Sequence, residues 1–300
     1  MELSVVVPTL NARDDLASCL DALGTHASDA EVLVVNGPSA DGTTGMVQER
    51  GDVDVLVEIA DRTINAARNA GITRASGDVV AFVDHTLAVT EGWQEAVRAG
   101  VAEAAAVTGP THTQLRAGKE TETVESRTIA GREVTYFNGG NVAFRRETLA
   151  DLDGFDEYLD LGGARDLAHR LAALEATVTW DAAMAVEHEQ ATDGGTPETE
   201  WDWKYRSLSY RLVKNYGLRP TAVRRILSHA ASDAAAELKA VTTGESSPSS
   251  WLGSGRDVVT NAVGGATDAL GARQRDRTPR RNPRGCSARA DRAVTVYDWR

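Results

Sequence analysis

The segment Val80–Val89, VAFVDHTLAV, carries the reading of the whole chain. With Val79 it opens as an apolar, β-branched run that reads as a buried strand, and it ends on Asp84. A carboxylate at a strand end is a common metal ligand, yet Thr86 stands where the second carboxylate of a chelating pair would be. Working outward, RTINAARNAGITRASG before it has helical character, and GWQEAVRAGVAE after it reads as another helix. Further strands are SVVVPTL, EVLVVN, VDVLVEI and AAAVTGP, and the helices between them include NARDDLASCLDALGTH and ADGTTGMVQERG. Strands alternating with helices imply an α/β fold: a mostly parallel, Rossmann-like sheet with helices on both faces.

Beyond Pro110 the rhythm changes. A polar, irregular stretch leads to VTYFNGGNVAFRRETLADLDGFDE (two short strands and a helix), then a helix in GARDLAHRLAALEA and two strands in TVTWDAAMAVEHE. From Trp201 the pattern is helical, with Pro220 opening a second helix; GESSPSS reads as a linker, and SGRDVVTNAVGGATDAL as one more short helix. The expected organisation is a catalytic-type α/β domain over 1–200, a helical appendage over 201–243, and a linker, short helix and disordered basic tail over 244–300.

The net charge is −12, and only 4 of the 32 basic residues are lysine. An acidic, lysine-poor chain suits a salt-saturated cytoplasm, where screening relieves self-repulsion. Residues 271–300 hold nine arginines and three aspartates, +6 in balance, which leaves −18 for the rest. That tail shows no apolar period, so disorder is expected, solvated or touching lipid phosphates; no nucleic-acid partner is expected. Cys19 and Cys286 are too few for a disulfide framework or a cysteine zinc site. No apolar run reaches transmembrane length, and MELSVVVPTLNARDD reads as a first strand rather than a signal peptide. A cytoplasmic location is the expectation.

No G-x-G-x-x-G follows the first strand, which argues against a dinucleotide-binding domain. Taken in order, SVVVPTLN, EVLVVNGPSADGT, RTINAARNAGITRASGDVVAFVD, NGGNVAFRR, LDGFDE, GARDLAHRL and V-E-H, from Ser4 to His188, resemble the family 2 inverting glycosyltransferases of the GT-A fold. The acidic composition is most similar to haloarchaeal members that assemble dolichol-phosphate-linked N-glycans for surface-layer glycoproteins.

The resemblance implies roles for named residues. Pro8, Thr9 and Asn11 follow the first strand where the family's nucleotide sits, and Asn36 replaces the usual base-contacting aspartate. Asp41, Arg68 and Asn69 match positions near the nucleotide, where a guanidinium pairs well with phosphate. Asp41 as a helix cap and Arg68 as a solvated helix residue are the structural alternatives. Asp84 is the first carboxylate of a D-x-D motif, and His188 is a second metal-side candidate; with the diphosphate they would suit Mn²⁺ or Mg²⁺. His85 competes, although neighbouring strand residues point to opposite faces. Gly163 and Ala164 stand where the family has the E-D pair that supplies the catalytic base, leaving Asp166 as the remaining acid and the expected base. Asp156 and Glu157 are weaker candidates. Asn141, Arg145, Asp156 and Arg170 are expected near donor or acceptor sugar, with Arg146 beside them. Trp201, Trp203, Tyr205 and Tyr210, with Arg206 and Arg211, read as core packing or as a surface for a lipid-linked acceptor.

The implied activity is transfer of a sugar, with a hexuronic acid as one candidate, from a UDP-sugar to a dolichol-phosphate-linked saccharide in protein N-glycosylation. The enzyme would work peripherally at the inner face of the membrane. The alternative is a non-catalytic sugar-nucleotide-binding or scaffold protein of the same fold.

Overall fold

The computed structural model describes residues 1–115, 118–121, 124–188, 201–243 and 248–300. The chain opens with β1 (Leu3–Thr9), α1 (Arg13–His26), β2 (Glu31–Asn36), α2 (Thr43–Gln48), β3 (Val55–Ile59), α3 (Ile64–Arg74) and β4 (Val79–Val83). It continues through β5 (Leu87–Val89), α4 (Trp93–Glu103), β6 (Ala106–Thr108), β7 (Thr111–Leu115), β8 (Gly118–Thr121), β9 (Glu125–Ile129) and β10 (Arg132–Tyr136). Then come β11 (Asn141–Arg145), α5 (Arg146–Leu152), α6 (Gly163–Ala173), β12 (Val178–Trp180) and β13 (Val186–His188). The last elements are α7 (Trp201–Tyr216), α8 (Pro220–Thr243), α9 (Pro248–Arg275) and β14 (Ala293–Asp298).

The main sheet runs β12-β6-β11-β4-β1-β2-β3-β14. β1 to β4 are mutually parallel, whereas β11 and β14 run antiparallel to their neighbours. The apolar runs are continuous because both sheet faces are buried. Val6, Leu33, Val35, Val57, Val80 and Phe82 face one core, with Ala67 and Ala70 of α3 and Leu167 and Leu171 of α6. Their alternates Val5, Val7, Val34, Leu56, Ala81 and Val83 face the other, with Leu16, Leu20 and Leu23 of α1 and Trp93 and Val97 of α4. Helix α3 lies so close to β1 that a Cβ on Gly71 would meet Val6 at 2.3 Å. That tight contact fixes the helix that carries Asn65, Arg68 and Asn69.

The C-terminal region departs from expectation. Tyr205, Leu208, Leu212 and Tyr216 of α7 share one core with the sheet, so the boundary at residue 200 separates no core. α9 runs from Pro248 to Arg275, far longer than the short helix expected. The disordered tail is overturned outright. Asp276 accepts from Thr278 N and Asn282 N, and Asn282 Nδ2 donates to Asp153 O at 2.9 Å and Gly154 O at 3.1 Å. β14 then pairs antiparallel with β3 and closes that sheet edge. Several arginines of this segment have internal partners: Arg292, 4% exposed, donates to Gly285 O and pairs with Glu157. The alternating AVTVYD was the legible strand signal.

Candidate nucleotide-sugar site

The order β3-β2-β1-β4 reverses direction of growth at β1, and ligands in such sheets sit beyond the carboxyl ends of the strands at that point. Two recesses open there. A small one of about 90 Å³ is lined by Pro8, Thr9, Gly37, Ile59, Asp61, Arg62 and His85. A larger cleft of about 630 Å³ is lined by residues including Arg68, Asp84, Asn138, Asp160, Ala164 and Trp180.

Asp84 reaches the larger cleft because the Gly139–Gly140 turn comes very close to it. A Cβ on Gly140 would sit 2.7 Å from the Asp84 Cβ. Thr86, the non-acidic partner of the D-x-D position, donates to Asp84 Oδ1 through its backbone N–H at 3.1 Å and its hydroxyl at 3.0 Å. Thr86 therefore orients the carboxylate instead of adding a second charge, and Oδ2 is left for a ligand. His85 Nδ1 lies 3.1 Å from Pro8 O, which turns that ring toward β1. His188 pairs in register with Leu87, so the antiparallel β5–β13 pair brings it beside the turn that carries Asp84.

Arg68 is not a solvated residue. It is 6% exposed, donates to Gly139 O at 2.8 Å, and packs its guanidinium 5.0 Å from the Phe155 ring centroid. Burial pushes its pKa down to about 10, against the opposing pull of Asp84. Among the described residues its Nε–H has no partner. A cation this buried, with spare donors at the cleft wall, is suited to an anionic ligand.

Other expected site residues lie elsewhere. Asp41 is exposed and accepts from Arg13 N and from the backbone and hydroxyl of Thr43, which hold its pKa below the usual carboxylate range; it orders the turn before α2. Asn11 Oδ1 accepts from Ala40 N, tying that same turn to the end of β1. Asn36, 1% exposed, spends its amide on Thr44 Oγ1 and Ser39 Oγ. Asn69 donates to Phe155 O and accepts from Phe155 N, so it clamps the GFDE turn. Asn141 accepts from Trp93 Nε1 and donates to Met184 O, far from a sugar-binding posture. Arg145 caps the end of α4 through Val101 O and Ala102 O, and Arg146 bonds Gly77 O.

The largest correction concerns Asp166. Its carboxylate is fully buried and paired with Arg170 Nε at 2.8 Å and Lys214 Nζ at 2.7 Å, while Asn215 Nδ2 holds the other oxygen at 2.9 Å. Burial alone would raise its pKa, but Lys214 and Arg170 hold it well below the usual carboxylate range. A sealed, weakly basic carboxylate cannot take a proton from an acceptor. Asp156 is equally sealed, against Lys214 Nζ at 2.6 Å and Tyr210 OH at 2.8 Å. Arg170 is used up by Asp166, Leu152 O and Gly154 O. The missing E-D pair also has a steric reason. A Cβ on Gly163 would lie 2.4 Å from the Asn65 amide, which itself donates to Leu159 O. The aromatic group is core rather than surface, with Tyr205 and Tyr210 fully buried; the Trp201 side chain lies outside the described residues.

Sequence reasoning missed Asp160, Glu125, Arg165 and Trp180, all of which line the larger cleft. Glu125 is engaged by Arg127 and lies 3.7 Å from Arg165. Asp160, three residues ahead of α6, was visible only as one acid in a turn.

Among the described residues no group of three His, Cys, Asp or Glu could hold a metal ion by itself. Asp84 lines the cleft and His188 lies on the adjoining β5–β13 pair, so a hard divalent cation here would need ligand oxygens to complete its shell.

The glycosyl transferase family 2 model matches residues 4–151. The chain is 32% identical over 100 residues to the glycosyltransferase AglE of Haloferax volcanii, covering 31% of this chain and 33% of that protein. It is 27% identical over 207 residues to the pre-mycofactocin glycosyltransferase of Mycobacterium tuberculosis, covering 64% of this chain and 43% of the relative. The chain thus spans less than half the length of these relatives. Among solved structures, the Pyrobaculum calidifontis mannosyltransferase PcManGT, in complex with GDP-Man and Mn²⁺, superposes with a TM-score of 0.55 at 17% identity, covering 90% of this chain and 87% of that one. Staphylococcus aureus TarS 1–349 with UDP-GlcNAc gives 0.52 at 20% identity, covering 71% and 67%. At such identities the likeness establishes the fold alone. The glycosyl transferase family 2 model thus matches just under half of the chain, and the fold is that of the GT-A glycosyltransferases it superposes on.

Proposed function

We propose that this protein is an inverting glycosyltransferase that takes a sugar from a nucleoside diphosphate donor, with a UDP-sugar as the expected donor. The observation that carries this reading is the cleft beyond the end of β4, where the buried Arg68 cation and the Asp84 carboxylate are both in the lining. Arg68 would pair with a donor phosphate, and Asp84 with His188 would hold a divalent cation, Mn²⁺ or Mg²⁺. When bound, that ion would neutralise charge on the departing diphosphate. In an inverting transfer the acceptor hydroxyl attacks the anomeric carbon opposite the leaving group, and its proton passes to a nearby base. With Asp166 sealed, we assign that role to Asp160, which lines the cleft close to where Ala164 replaces the family's carboxylate.

Similarity to a glycosyltransferase of Haloferax volcanii and the acidic, lysine-poor composition accord with a haloarchaeal enzyme, for which the acceptor proposed is a lipid-linked saccharide, on dolichol phosphate in N-glycan assembly for a surface layer. Peripheral work at a membrane face accords with that acceptor. No described helix is long and apolar enough to cross a membrane. The test is incubation at high salt with Mn²⁺ and a panel of UDP- and GDP-sugars plus a lipid-linked or soluble glycan acceptor. Acceptor-dependent release of nucleoside diphosphate supports transfer. Donor binding without release under all conditions would favour the scaffold reading, in which Gly163 and Ala164 mark a lost base.

A further inference from the structure

We propose that Asp61 and Arg289 together read the base of the donor, selecting one that presents an N–H beside a carbonyl (uracil or guanine) over cytosine or adenine. This rests on the nucleotide reading proposed above. The residue expected to read the base, Asn36, cannot do so, because both of its amide atoms are bonded within the protein and it is 1% exposed. The small recess beyond β1 still has polar groups. Thr9 lines it at 5% exposure with no partner for its hydroxyl among the described residues, and Asp61 forms another part of the wall.

Arg289 comes from the C-terminal segment, 138 residues beyond the matched family domain. Its Nη1 donates to Asp61 Oδ2 at 3.0 Å, and its Nη2 to Glu157 Oε2 at 3.0 Å. Glu157 is fixed in turn by Asn69 Nδ2 and by Arg292. The guanidinium is therefore held against Asp61, which lines the recess, and among the described residues its Nε–H has no partner. A carboxylate only accepts and a guanidinium only donates. Side by side, they match the N3–H and O4 of uracil or the N1–H and O6 of guanine. Cytosine and adenine present the reverse order, a ring nitrogen acceptor beside an amino donor, and leave both protein groups opposed by like partners. Such mismatches cost about tenfold or more in affinity.

The test is titration calorimetry of the full-length protein with UDP, GDP, CDP and ADP in the presence of Mn²⁺. UDP or GDP should bind at least about tenfold tighter than CDP and ADP. Arg289→Ala and Asp61→Asn should each narrow that ratio below about threefold. Arg224→Ala, an exposed residue of α8 that lines neither recess, should leave it unchanged. Circular dichroism identifies which variants fold, and either one suffices. Wild-type affinities within threefold for all four, or full selectivity retained in both folded variants, would overturn the inference while leaving nucleotide binding in place. Binding of none of the four by the folded wild type would instead overturn the donor reading and this inference with it.

Discussion

Lys214 Nζ stands 2.6 Å from Asp156 Oδ2, with both side chains fully buried and more than fifty residues apart in sequence. The same ammonium lies 2.7 Å from Asp166 Oδ2. This one cation ties α7 to the GFDE turn through Asp156 and to α6 through Asp166. Three groups that sequence motifs would assign to chemistry or to a surface helix are instead a buried electrostatic joint.

Lys214→Met should be strongly destabilising, because it leaves two buried carboxylates short of a partner. A loss of about 3–5 kcal/mol is expected for breaking a buried pair. Urea denaturation at constant high salt measures it. A loss below 1 kcal/mol would mean that water or Arg170 compensates.

Asp160 and Asp166 should separate cleanly by substitution. Asp160→Asn is expected to lower turnover by about 10²–10⁴-fold, the usual contribution of a general base, with donor affinity and melting temperature little changed. Asp166→Asn should instead lower the melting temperature, since it leaves Lys214 and Arg170 undercompensated. Near-normal turnover in Asp160→Asn would remove it as the base.

Asp84→Ala is expected to abolish the metal-dependent part of donor binding while the fold persists, since the side chain is 29% exposed at the cleft. Calorimetry with and without Mn²⁺ reads this directly. An unchanged metal effect in the folded variant would show that the ion binds elsewhere.

Stability should fall with acid through one histidine. His169 Nδ1 meets Tyr216 OH at 2.8 Å, and burial lowers its pKa from 6.5 to about 3. Between those values the unfolded chain binds the proton and the folded chain does not, so stability declines as pH drops from about 6.5 toward 3. His169→Gln should flatten that part of the profile. A parallel profile in the variant would place the acid sensitivity elsewhere.

Removal of residues 276–300 should prevent folding rather than trim a tail. It strips β14 from β3, exposing a strand edge, and removes Asn282 and Arg292 from their buried partners. Soluble, active truncated protein would contradict the integral role of this segment.

Much of the first half was legible because its signals are local. The runs VVV, VLVV and VAFV can only be buried strands, and the helical spacing between them forces crossovers, hence a largely parallel sheet. Asp84 at the end of β4 followed from its place in that order, and Arg68 on α3 from the motif resemblance. The C-terminal segment was less legible: nine arginines over thirty residues obscured AVTVYD, a strand pattern in plain sight. Composition reports average solvation, whereas Arg273, Arg289, Arg292 and Arg300 each fold against a particular carbonyl or carboxylate.

The sequence by itself determined the alternation, the sheet's apolar faces and the cleft's location, because side-chain period and chain connectivity act over a few residues. Which acids face the cleft was decided only by tertiary structure. Asp156 and Asp166 are sealed because Lys214 arrives from a helix some fifty residues away, and Asp61 gains its partner because Arg289 returns from the chain's far end. A carboxylate's access and its charge partners depend on what packs over it, and that is set by distant segments meeting in space.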